Sequence, residues 1–224
     1  MEELPPVTKI STAIYEALKA AITDGTFPPG YRLREAYIAR QFGVSPTPVR
    51  EALQRLDREG LVRIFDHRGA VVPSWSARDA EELYELRELL EGWAVQRLAE
   101  QVGSLDFGAV ERILNQAEAV LADPDQQKFN RLDVEFHAGL VRLTGNRQLA
   151  ELAELVHRRI QVIRARCSVY LPGRPLVSHQ QHLEILAAIK RADPLGARAA
   201  LVHHIRDIRS AVLAVLTQAV AERK

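Results

Sequence analysis

The chain has 224 residues, 47% of them hydrophobic, which is room for two domains of roughly 70 and 150 residues, each with its own core. A net charge of +1 predicts no polyanion partner by itself, and the single cysteine, Cys167, excludes an intrachain disulfide framework. No apolar run approaches a membrane span and MEELPPVTK has no apolar signal core, so a soluble cytoplasmic protein without a membrane partner is expected.

In chain order, Met1–Pro6 reads as an arm. Ile10, Ile14, Leu18 and Ile22 then form the stripe of a helix opening at Thr8 and ending by Gly25. Phe27-Pro28-Pro29-Gly30 is a turn with two helix-blocking prolines. Leu33, Ile38 and Phe42 give a second helix its core contacts, and Gly43 turns the chain into a third. There Ser45 suits the N-cap, Pro46 the first helical position and Pro48 the first turn. Val49, Leu53 and Leu56 make the buried face, and Gly60 closes the helix.

Opposite that face, Thr47, Arg50, Gln54 and Arg58 form one exposed stripe. Hydroxyl, guanidinium and amide groups on a short helix suit the major groove, where Arg forks onto guanine and Gln onto adenine. Leu61–Phe65 and Ala70–Val72 read as a β-hairpin around Asp66-His67-Arg68-Gly69. Three helices and a hairpin make a winged helix-turn-helix ending near Pro73. Its candidate DNA contacts are Ser45, Thr47, Arg50, Gln54 and, on the wing, His67, Arg68 and Gly69. Residues 31–68 hold eight Arg against five Asp or Glu, a modest excess that supports a double-stranded DNA partner.

From 74 to 224 the pattern is helix after helix, with expected spans 76–101, 105–122, 126–144, 147–170, 175–192 and 195–222. Gly103, Asp123-Pro124, Gly145-Asn146, Pro172-Gly173-Arg174-Pro175 and Asp193-Pro194 mark the breaks. The expected fold class is mainly α: a winged helix-turn-helix followed by an all-α bundle of six helices. Four polar residues interrupt inward faces. Asp133 and His137 are one turn apart among Phe129, Leu132, Phe136 and Leu140. His182 precedes Ile185, Leu186 and Ile189, and His204 lies among Leu201, Ile205 and Ile208. Three imidazoles and a carboxylate suit a divalent transition metal, Zn or Ni first, with Mn or Fe as alternatives. From spacing alone, such histidines are more often hydrogen-bonded core residues.

Pro48-Val49-Arg50-Glu51-Ala52-Leu53, Glu59-Gly60-Leu61-Val62 and Arg68-Gly69 resemble the DNA-binding domain of the GntR family of transcription regulators. Leu132-Asp133-Val134-Glu135-Phe136-His137, Thr144-Gly145-Asn146, the run opening at His182, and His204-Ile205 resemble the FCD ligand-binding domain of that family's FadR subgroup, in its six-helix, VanR-like form. Pro46 stands where many members carry Arg, so that residue's contact does not carry over. The resemblance implies a homodimer on an inverted-repeat operator, found at the nucleoid when bound, and repression as the default. It also implies one metal on Asp133, His137, His182 and His204, and a small carboxylate effector. Arg87, Asn146 and Arg164 are the candidate effector contacts. A metal-responsive regulator without organic effector and, ranked below it, a metalloenzyme are the alternatives. No catalytic residue is expected, because no acid/base pair accompanies the four.

Overall fold

The computed structural model describes residues 7–65, 69–123, 125–167, 171 and 173–221. The chain divides into two compact units, Met1–Trp75 and Ser76–Lys224. In the first, α1 (Val7–Thr23), α2 (Glu35–Phe42) and α3 (Pro46–Arg58) are joined by β1 (Arg32–Leu33), β2 (Arg63–Phe65) and β3 (Gly69–Val71). Ile14, Leu18 and Ile22 of α1 are buried with Val49, Ala52, Leu53 and Leu56 of α3. Each of the Val, Leu and Ile side chains removed from water stabilises the unit by about 1.5–3 kcal/mol.

The start of α3 departs from expectation in one respect. Ser45 occupies the N-cap with extended backbone, but its side chain makes no capping hydrogen bond. The helix start rests instead on the prolines in its first turn and on Gly43, which caps α2 in the left-handed conformation.

The sheet has a third strand that no hydrophobic run announces. Gly30, at φ +85°, turns the chain after Pro28-Pro29, and its N–H donates to Val72 O at 2.8 Å. Val72 N–H donates back to Tyr31 O at 3.0 Å. β1 thus lies antiparallel to β3, giving the order β1-β3-β2. Gly69 sits at φ +78°, where a Cβ would come within 2.5 Å of Leu33 O. Asp66, His67 and Arg68, the expected wing tip, lie outside the described residues.

The second unit has six α-helices among its described residues: α4 (Ala77–Glu100), α5 (Gly108–Ala119), α6 (Gln126–Leu143), α7 (Arg147–Cys167), α8 (Arg174–Lys190) and α9 (Pro194–Ala221). A capping box opens α4: Ser76 Oγ accepts from Asp79 N–H, and the Asp79 carboxylate accepts from Ser76 N–H. α5 starts later than the expected 105, because a short 3-10 turn fills Val102–Ser104 and Asp106 Oδ1 accepts from Gly108 N–H at 2.8 Å. α4 runs through the unit, packed on α9, α7, α6 and α8. The mainly α class, with a small sheet only in the first unit among described residues, agrees with the sequence reading. No helix of the described residues is long and apolar enough to cross a membrane.

Candidate functional site

α6, α8 and α9 bring four buried side chains to one point. One ligand atom from each of Asp133, His137, His182 and His204 lies within 4.8 Å of the others. His182 Nε2 is 3.1 Å from His137 Nε2, 3.3 Å from His204 Nε2 and 3.5 Å from Asp133 Oδ1. Among the described residues nothing donates to Asp133 Oδ1, although it is fully buried.

The surrounding groups set the tautomers. Glu91 Oε2 accepts from His137 Nδ1–H at 2.6 Å, and Gln181 Oε1 accepts from His204 Nδ1–H at 2.8 Å. His137 and His204 then each present an Nε2 lone pair inward, which is what a metal ligand must do. Nitrogens bound at about 2.1 Å to one ion stand about 3.0–3.4 Å apart at octahedral or tetrahedral angles. The 3.1 and 3.3 Å nitrogen separations and the unsatisfied carboxylate oxygen therefore fit a divalent ion.

Electrostatics favour the same protonation states. Burial, and then the neighbouring imidazoles, push His182 and His204 well below the ordinary histidine range; burial and the Arg87 guanidinium lower His137. Burial opposes ionisation of Asp133 but is outweighed, first by Arg164, so its carboxyl lies well below the usual range. Arg164 NH1 donates to Asp133 Oδ2 and its NH2 to Asn130 Oδ1 at 3.1 Å.

Arg87 is not at the surface: both it and Glu91 are buried, with Nε donating to Oε1 at 2.7 Å. The same Glu91 oxygen accepts from His157 Nε2–H at 2.6 Å. Glu91, His157 and Gln181 escaped the sequence reading. The only hint of Glu91 was its place four residues after Arg87, which also suits a solvated ion pair. Asn146 is not brought to this cluster. It is exposed at the start of α7, where Oδ1 accepts from Leu149 N–H at 3.1 Å.

In the first unit, Thr47, Arg50, Gln54 and Arg58 are all exposed along α3. Arg50 is held by the Glu35 carboxylate of α2 at 2.8 Å. That contact raises the guanidinium's already high pKa. Ser45 is exposed at the head of the helix. Gly69 serves the ladder through its backbone.

Residues 10–72 match the gntR family of bacterial regulatory proteins, and residues 82–207 match the FCD domain. The HTH-type transcriptional regulator YdhC of Bacillus subtilis is 31% identical over 191 residues, 85% of each chain. The HTH-type transcriptional repressor RspR of Escherichia coli is 25% identical over 94% of this chain and 92% of its own. A GntR transcriptional regulator from Rhodococcus sp. RHA1 superimposes with a TM-score of 0.80 at 27% identity, over 91% of this chain and 97% of the other. With a GntR domain ahead of an FCD domain, the chain belongs to the FadR subgroup of the GntR family: it is a DNA-binding transcriptional regulator, and not an enzyme.

Proposed function

We propose that this regulator senses a small carboxylate at a divalent transition ion held by Asp133, His137, His182 and His204, and that the effector changes its affinity for an operator. The convergence of three Nε2 atoms and one unsatisfied carboxylate oxygen carries the reading. Three nitrogens and one oxygen favour Zn or Ni, with Mn or Fe next. When bound, the ion supplies a Lewis-acidic position for an oxyanion. The chain's own groups do the rest: Glu91 and Gln181 orient imidazoles, while Arg164 holds Asp133 ionised. Arg87 remains a candidate effector contact, its charge shared at present with Glu91.

Operator binding is assigned to α3 and the wing, through Ser45, Thr47, Arg50, Gln54, His67, Arg68 and Gly69. One winged helix of this size binds weakly, so two copies on an inverted repeat are the functional form. Leu86, Leu89 and Trp93 support a homodimer. They recur along α4 and are 47%, 65% and 48% exposed. Repression is the assigned sign, in keeping with the relative named a repressor. The effector shifts DNA affinity only by its differential affinity for the two arrangements of the dimer.

The test is elemental analysis of the purified protein joined to footprinting. His182→Ala is expected to lose the ion that the parent retains. Arg50→Ala is expected to weaken the footprint on a short inverted repeat while dimerisation persists. Equal metal content in His182→Ala and parent would remove the ligand assignment, and an unchanged footprint in Arg50→Ala would remove the recognition helix.

A further inference from the structure

Beside the four-residue cluster lies a cavity of about 20 Å³, lined by Gln126, Phe129, Asn130, Arg164, Arg174 and Ile208 among others. It has room for one to two water-sized atoms, about the two oxygens of a carboxylate. Phe129 and Asn130 precede Asp133 by four and three residues on α6, and Ile208 follows His204 by four on α9. Along α6 and α9 the cavity's lining residues therefore lie about one helical turn, about 5.4 Å, from the ligating residues. Arg164 joins the two places, bonding Asp133 on one side and Asn130 on the other.

Resting on the function proposed above, we propose that this cavity is a second carboxylate subsite, and that the effector is a dicarboxylate of four or five carbons. One carboxylate meets the ion, and the other meets Arg164 and Arg174. A spacer of two or three carbons covers about one helical turn.

Arg174 has the capacity. Its NH1 donates to Asp207 at 2.7 Å and its NH2 to Gln181 Oε1 at 3.2 Å. Its Nε is buried and has no acceptor among the described residues. A guanidinium carries five N–H donors in a fixed fork, which suits a carboxylate. Arg174 also touches the ion's surroundings, because Gln181 Oε1 is the acceptor for His204 Nδ1–H.

Charge sets the valence of the ligand. Around the cluster, Asp133, Glu91 and Asp207 face Arg87, Arg164 and Arg174, and the six formal charges cancel. A divalent ion adds two positive charges in a desolvated place. A dianion neutralises both, whereas a monocarboxylate leaves one unpaired.

The experiment is calorimetric titration of the full chain loaded with Zn²⁺, using glutarate and pentanoate, which match in carbon count and differ by one carboxylate. Glutarate is expected to bind at least about tenfold tighter. Arg174→Gln is expected to erase most of that advantage and leave pentanoate within about twofold, and Arg174→Lys to restore part of it. Circular dichroism and zinc content report whether each variant is folded and loaded. If Arg174→Gln does not fold, the parent's glutarate-to-pentanoate ratio decides alone. Equal affinities in the parent, or glutarate binding untouched by Arg174→Gln in the folded variant, overturn the subsite and leave the metal site standing. Failure of the parent to take up Zn²⁺ overturns both readings.

Discussion

Glu91 shows what one buried carboxylate can organise. It receives Arg87 Nε and His157 Nε2 on one oxygen and His137 Nδ1 on the other. Burial alone would raise its pKa; Arg87, then His137 and His157, reverse this and hold the carboxyl well below its usual range. Glu91→Gln keeps the shape and deletes the charge. Arg87 is then left as an uncompensated buried cation, a loss of about 3–5 kcal/mol when one partner of a buried pair is removed. The weakened hold on His137 is expected to cost a further 10–100-fold (roughly) in metal affinity. Chemical denaturation and zinc titration check both; an unchanged denaturation midpoint would refute the first and an unchanged zinc affinity the second. The part Glu91 plays here was not legible in sequence. Arg87 and Glu91 at i and i+4 look like any solvated helix pair, and their burial depends on α4 being covered by α9, α7, α6 and α8.

At the scale of elements the sequence was far more informative, for a physical reason. A helix announces itself locally, by a stripe every three or four residues and by Gly, Pro and Asx breaks at its ends. The six helices of the second unit accordingly lie near their expected spans, and Asp133 with His137 is readable as one surface of α6. That α6, α8 and α9 converge is a long-range fact that no stripe encodes. β1 fails for a related reason: two residues have no periodicity, and the strand exists only because β3 lies alongside. Gly69 is the residue that closes this pairing. Gly69→Ala would place a Cβ against the Leu33 carbonyl and force an L-residue to φ +78°. Strain of this kind costs about 1–3 kcal/mol. The expected outcome is a less stable first unit with a loosened β1–β3 pairing, seen as faster amide exchange at Val72 and Gly30. Parental exchange rates at those amides would show that the wing tolerates the change.

For the whole molecule, the distribution of histidines makes acid act on one unit. The first unit contains a single histidine, His67, whereas six lie beyond Ser76. His137, His182 and His204 all have folded-state pKa values below the ordinary range, for burial first and neighbouring charge second. As pH falls below about 6.5, the unfolded chain takes up protons at these positions and the folded unit does not. Stability is thus complete above the unfolded pKa and declines as pH drops toward the folded values. Asp133 and Glu91 are also depressed, so their contributions are present above about pH 4 and are lost below it, in the same direction. Bound metal would steepen the decline, because it too requires neutral imidazoles and an ionised carboxylate. Two units need not melt as one, so thermal scans of the chelator-treated chain from pH 8 to pH 5.5 should move the transition of the second unit downward and leave that of the first nearly in place. His182→Ala should show a shallower decline over the same interval, since it removes one of the groups that resist protonation. A second-unit transition that stays constant from pH 8 to pH 5.5 would mean that these imidazoles are hydrated enough to titrate normally, and that the cluster is looser than its 3.1 and 3.3 Å separations imply.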